Sequence, residues 1–283
     1  MKTNQVDDNL IFDVGMHNGR DTQFYLNKGF RVISIEASPI SCAEANEMFS
    51  EQLLSRQLKI YNKAISDKIG HVTFMRYKGH DDWSTIVPDW NMSMYKNDVE
   101  TFEIETTNID EIIEAEGVPY YIKIDIEGSD ILCLNALKKC SSIPKFISVE
   151  LLSVNNLQND KKPDYLEILC TLRSLGYKKF QLVDQSKHEF VTCPQPAREG
   201  KYIDAKFDGF SSGLFGRELP DNWKSIDDII FDYLLYSGKS VKVQVENEFH
   251  GIRGKLSRYI FKPKLKINQT LDKNGWFDVH ATY

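Results

Sequence analysis

Leu10-Ile11-Phe12-Asp13-Val14-Gly15-Met16-His17-Asn18-Gly19-Arg20-Asp21-Thr22 is the stretch that decides the fold. It opens on an apolar run, the signature of a parallel strand buried on both faces. Asp13 stands near the end of that strand, Gly15 and Gly19 bracket a turn, and residues 22–26 read as an entering helix. Glycine at such a turn lets backbone N–H groups approach a ligand that a Cβ would hold off. Residues 31–36 form a second short strand ending in Glu36. That acid lies about 20 residues beyond the first glycine, the distance at which a carboxylate reaches ribose hydroxyls in βαβ nucleotide sites. Two acids and a glycine turn at these places describe an adenosine-type site.

The spacing separates the adenosine ligands. Dinucleotide sites use G-x-G-x-x-G so that a pyrophosphate rests on the helix N-terminus. Here the pattern is Asp13-x-Gly15-x-x-x-Gly19. A carboxylate ahead of the glycines repels a pyrophosphate and suits an ammonium group, which favours S-adenosylmethionine. Taken alone, the stretch also fits a tight strand-to-helix turn with no ligand.

At 283 residues the chain is long enough for one large α/β domain carrying a sizeable insertion. A hydrophobic content of 41% and a charged content of 27% are those of a globular protein. The net charge of −6 argues against a general nucleic-acid surface. No apolar run has the length of a transmembrane segment, and the N-terminal residues lack a signal-peptide core. Five scattered cysteines, without a C-x-x-C pair, read as reduced thiols and point to a cytoplasmic setting.

Downstream, Ser38 and Pro39 start a helix through residues 43–49, and residues 58–66 form a third strand. Residues 72–77 read as an added hairpin strand. Residues 79–98 are irregular, with His80, Trp83 and Trp90 either in a lid or anchoring a long loop. Ile122-Lys123-Ile124-Asp125-Ile126-Glu127-Gly128 is the second informative motif. Alternation along a strand puts Lys123, Asp125 and Glu127 on one face. Charges at the C-terminal end of a central parallel strand mark the edge where ligands bind.

Strands at 145–151 and 177–184, with a helix at 163–175 between them, continue a doubly wound, mostly parallel sheet. Beyond residue 184 the alternation fails until a closing strand at 276–281. The expected organisation is a core over 1–184, an acceptor-side insertion over 185–274, and the closing strand of the core over 275–283. Phe210, Phe215 and Trp223 in the insertion offer rings for a sugar face, and Arg217 and Arg253 offer charges. The helix carrying Ile229-Ile230-Phe231 offers the alternative of a homodimer contact. A basic strip at 239–266 fits an anionic partner or a solvated face. No metal-ligand cluster is evident.

Together the motifs resemble the FkbM-type family of S-adenosylmethionine-dependent methyltransferases, within the Rossmann-like methyltransferase fold. The resemblance rests on Phe12 to Gly19, on Ile35-Glu36-Ala37-Ser38-Pro39, on Asn62-Lys63-Ala64-Ile65-Ser66, and above all on Ile122 to Gly128. It covers about residues 9–184. It implies a seven-stranded sheet whose last strand is antiparallel, and methyl transfer to a hydroxyl of a sugar, glycan or natural product. It further implies that Gly15 and Gly19 line the methionine part of S-adenosylmethionine, Glu36 its ribose, and the loop after Ala64 its adenine. Asp13, His17, Asn18, Ala37 and Asp125 complete the expected cofactor-binding set.

Asp125 and Glu127 are the expected catalytic pair, one of them taking the acceptor's proton, with His17 and His80 as outside candidates. The alternative, that the pair chelates Mg²⁺ to activate a diol, has too few further oxygen ligands to be favoured. Two rival readings keep the same core: a catalytically idle partner protein, and a nicotinamide oxidoreductase, which the glycine spacing disfavours.

Overall fold

The computed structural model describes residues 5–87, 98–151, 165–208, 211–236 and 277–283. In chain order its first elements are β1 (Val6–Val14), α1 (Arg20–Asn27), β2 (Arg31–Glu36), α2 (Pro39–Met48), α3 (Ser50–Leu54) and β3 (Leu58–Asn62). Three strands follow, β4 (Ala64–Ile65), β5 (His71–Tyr77) and β6 (Val99–Thr107). The chain returns through α4 (Ile109–Glu116), β7 (Val118–Ile124), α5 (Asp130–Leu137), β8 (Phe146–Leu151), α6 (Tyr165–Ser174) and β9 (Lys179–Asp184). It ends with α7 (Ile226–Tyr236) and β10 (Phe277–Thr282).

Seven strands form the main sheet in the order β3-β2-β1-β7-β8-β10-β9. β10 slots between β8 and β9 and runs antiparallel to both, while the other pairs are parallel. Each face has its own core, because strand residues alternate between them. Phe12, Val14, Ile122, Ile124, Val149 and Val279 meet the apolar sides of α4 to α7. Ile11, Val32 and Tyr121 face the opposite way, toward α1 and residues 193–219. Among the described residues no helix is long and apolar enough to cross a membrane.

Two expectations change, and one strand is added. The third strand does not run unbroken to Ser66: β3 stops at Asn62, and β4 joins β6 and β5 in a separate three-stranded sheet. The Asn62 amide donates to the carbonyls of Glu36 and Ala37, at 3.0 and 3.1 Å, so a side chain takes the end of β2 where a ladder would continue. β6 was not foreseen. The alternation over Asp125 and Glu127 also fails, because β7 ends at Ile124 and Glu127 turns back at a φ of 47°.

Parts of the described 185–236 stretch pack as core, among them Phe207, Leu214, Phe215 and Leu219. Phe215 is fully buried, its ring 4.8 Å from Tyr121 and 5.1 Å from Tyr25, so it is no sugar platform. Trp223 is partly buried near Phe146, and Arg217 is engaged by Glu199. Lys28, which caps the C-terminal end of α1, and Glu218, both without exposed side-chain area, pair at 2.6 Å. Trp90, Phe210, Arg253, Trp276 and the 239–266 strip lie outside the described residues.

Candidate active site

Two turns meet at the C-terminal edge of the sheet, one after β1 and one after β7. The Asp125 N–H donates to the Val14 carbonyl at 2.9 Å, and the Gly15 N–H donates to the Ile35 carbonyl at 2.9 Å. Gly15 has a φ of +89°, and a Cβ there would lie 1.8 Å from the Asp125 carbonyl oxygen. Only glycine lets the two turns touch. His17 takes a left-handed φ of 49°, which aims its N–H at the Glu36 carboxylate, 2.7 Å away. The other Glu36 oxygen accepts the Ser38 N–H at 2.7 Å. Burial raises the Glu36 pKa, and these two donors pull it back. Asn18 is exposed and its side chain accepts the Arg20 N–H at 3.1 Å, while Gly19 begins α1 in the left-handed region.

Asp13 lies beneath this turn, with no exposed surface. One of its oxygens accepts the Thr22 hydroxyl at 2.6 Å; the other faces the Lys123 ammonium at 3.6 Å. Desolvation pushes its pKa up to about 6 against the pull of Lys123. Asp13 therefore shapes the turn from below.

Three carboxylates gather above β7 and β8. Asp125, Glu127 and Glu150 each place an oxygen within 4.8 Å of the others. Sequence reasoning missed Glu150, though its place at the end of a parallel strand beside β7 was a usable signal. Asp130 ties the turn by accepting the Ile126 and Gly128 N–H groups at 3.2 and 3.1 Å. The Thr85 hydroxyl donates to the Glu127 carbonyl at 2.8 Å and brings the three-stranded arm against the same turn. Desolvation, then Glu127 and Asp125, hold the Glu150 pKa well above the carboxylate range. Desolvation and Asp125 likewise push Asp130 up to about 6 and Asp278 up to about 8, although Lys123 and Gln185 draw Asp278 down. The sequence offers Asp125 and Glu127 as a pair short of further oxygen ligands for Mg²⁺; the fold adds Glu150, giving a three-carboxylate group of a size that holds a cation, a grouping also common without one.

Of the other expected residues, Ala64 is buried in β4 and shares a small apolar cluster with Ala37, Phe74 and Ile104. The fold thus brings Glu36, Ala37 and Ala64 to neighbouring elements. His80 stacks on Trp83 at 4.4 Å in the turn after β5.

A seven-stranded sheet whose antiparallel last strand lies between its fifth and seventh positions, with a glycine turn after β1, is a Rossmann-like methyltransferase fold. The sequence profile described as Methyltransferase FkbM domain matches residues 13–179, more than half of the chain, and the chain belongs to that family. Among solved structures it is similar to the methyltransferase FkbM of Methylobacillus flagellatus KT, at 18% identity and a TM-score of 0.41 over 64% of this chain. The chain spans 41% of that protein's length. It is also similar to the precorrin-6y C5,15-methyltransferase of Geobacter metallireducens GS-15, at 9% identity and a TM-score of 0.36, over 98% of this chain and 81% of that one. A third similar structure is the StiE O-MT, at 9% identity and a TM-score of 0.34, over 62% of this chain and 47% of that one. No curated protein matches the chain.

Proposed function

We propose that the chain is an S-adenosylmethionine-dependent O-methyltransferase acting on a hydroxyl of a small molecule or glycan. The observation that carries this reading is the meeting of the Glu36-braced glycine turn with the Asp125-Glu127-Glu150 group at one sheet edge. The residues present fit the cofactor. Glu36 spends one lone pair of each oxygen on a backbone N–H and keeps acceptor capacity for ribose hydroxyls. Ala37 and Ala64 border an apolar cluster suited to an adenine face, and Gly15 and Gly19 bring no side chain to the turn that carries His17 and Asn18 beside Asp125.

When bound, S-adenosylmethionine supplies a methyl group on a positively charged sulfur. The chain's part is to align an acceptor oxygen with that methyl, the contribution of proximity. It also accepts the acceptor's proton, at a carboxylate oxygen of Asp125 or Glu127. We assign acceptor choice to the 185–274 segment, set between the 1–184 core and the 275–283 closing strand. The five cysteines are unpaired, which supports a reducing, cytoplasmic setting. On α7 the core takes Ile229 and packs Ile230 against itself, which leaves Phe231 exposed for a homodimer contact.

The test begins with the full chain, denatured after purification. Release of S-adenosylmethionine or S-adenosylhomocysteine, followed by labelled methyl transfer to a glycan in a panel, is the expected result. Failure to bind either nucleoside by calorimetry overturns the reading.

A further inference from the structure

One face of the main sheet carries a buried polar row running across six strands. The register sets Gln181 of β9 beside His280 of β10, His280 beside Ser148 of β8, and Ser148 beside Lys123 of β7. Lys123 stands beside Asp13 of β1, and Asp13 beside Ser34 of β2. All six are buried. Lys123 is the cation of this row, and its ammonium serves more than one neighbour. It lies 3.6 Å from Asp13 of β1, 3.3 Å from Asp21 of α1 and 3.5 Å from Asp125 of the turn after β7, and it donates to the Gly15 carbonyl at 3.1 Å. The second oxygen of Asp21 accepts the Ser212 N–H at 2.9 Å.

We propose that Lys123 is the positioning residue of the site, fixing the Gly15 turn and Asp125 relative to each other and, through Asp21, to the 211–216 stretch. A structural ion pair needs one partner. This ammonium instead meets the two groups that flank the candidate cofactor position, the Gly15 carbonyl and the Asp125 carboxylate, from beneath. Its hydrogen bond holds a glycine turn that has no side chain of its own to brace it. The three surrounding acids keep the ammonium charged, with a pKa well above the usual lysine value despite burial.

The proposal rests on the cofactor reading given above, and the experiment keeps the two apart. Calorimetry follows S-adenosylhomocysteine binding to the full chain and to Lys123→Met, Lys123→Arg and Asp21→Asn, each checked for folding by circular dichroism. If the unaltered chain does not bind the probe, the cofactor reading fails. If it binds, a folded Lys123→Met is expected to bind about tenfold more weakly, the scale of a lost charged hydrogen bond. Lys123→Arg should recover most of that loss by restoring the charge. Undiminished affinity in Lys123→Met, or no recovery with arginine, overturns the proposal. Should Lys123→Met not fold, Asp21→Asn decides. It removes one anchor of the ammonium, and its amide oxygen can still accept from Ser212, so affinity should fall about threefold or more; unchanged affinity overturns the proposal.

Discussion

The Glu36 carboxylate accepts the backbone N–H of His17, 19 residues earlier in the chain, at 2.7 Å. That bond joins the ends of β1 and β2, so the acid that closes the second strand also sets the shape of the turn after the first. A side chain that both braces a turn and keeps acceptor capacity has two measurable roles, one in stability and one in binding.

Glu36→Ala therefore has two expected effects. It strands the part-buried N–H of His17 and the buried N–H of Ser38, which lowers the melting temperature. It also removes the ribose acceptor, which weakens S-adenosylmethionine binding by about 1.5–3 kcal/mol, the scale of charged hydrogen bonds. Calorimetry on the folded variant checks the second effect. An affinity equal to that of the parent would place the ribose elsewhere.

Asp125→Asn and Glu127→Gln test the catalytic pair. Each should fold with a melting temperature near the parent's, because both side chains are only partly buried. Labelled methyl transfer should fall by about 10²–10⁴-fold in the variant that loses the proton acceptor. Parental turnover in both variants would move that role to another group, with Glu150 the first to examine.

The legible parts of the chain were those where a single residue decides a backbone path. Gly15, Gly19 and the strand-end acids Asp13 and Glu36 fixed the βαβ start, and Ser38 with Pro39 marked α2, whose Ser38 hydroxyl accepts the Ser41 N–H at 3.2 Å. β6 was also written in the sequence: Phe102, Ile104 and Thr106 alternate with Thr101, Glu103 and Glu105, yet the irregular stretch before it drew the reading away. Glu150 and Lys123 belong to a different kind of problem. Their partners lie on strands far apart in sequence, and only the strand order tells which charges share an edge. Residues 193–219 misled because a segment without regular elements reads as loop, whereas here Phe207, Leu214 and Phe215 roof one face of the sheet.

Lys28→Met tests that last point. The Lys28 ammonium also donates to the Lys201 carbonyl at 3.1 Å, so it pins two places in the segment to α1. Burial raises the Glu218 pKa, and Lys28 is the main group drawing it back. Removing the cation leaves a buried carboxylate uncompensated, at a cost of about 3–5 kcal/mol. Chemical denaturation should show that loss, and Lys28→Met combined with Glu218→Leu should recover much of it. A single variant as stable as the parent would mean that the segment is held by its aromatic contacts alone.

The last prediction concerns pH. Asp278 sits on β10 opposite Glu150, and its Oδ1 accepts from the Gln185 amide at 2.6 Å. Desolvation first, and Asp125 second, lift its pKa from 3.8 to about 8. A carboxyl raised in the folded state keeps its proton while the unfolded chain has lost it. Its contribution to stability is therefore fully present below the unfolded value of 3.8 and is lost as pH rises through about 8. Asp278→Asn removes this term and retains an oxygen for Gln185. Without ligand, the variant should lose less stability than the parent between pH 5 and pH 8, and should be the more stable of the two at pH 8. A gain on the order of 1–2 kcal/mol is expected there, about 2–4 °C in melting temperature per kcal/mol, since Lys123 and the neighbouring acids readjust and absorb part of the change. Thermal melts at the two pH values read it directly, and parallel pH dependences in parent and variant would show that Asp278 is already ionised in the folded protein.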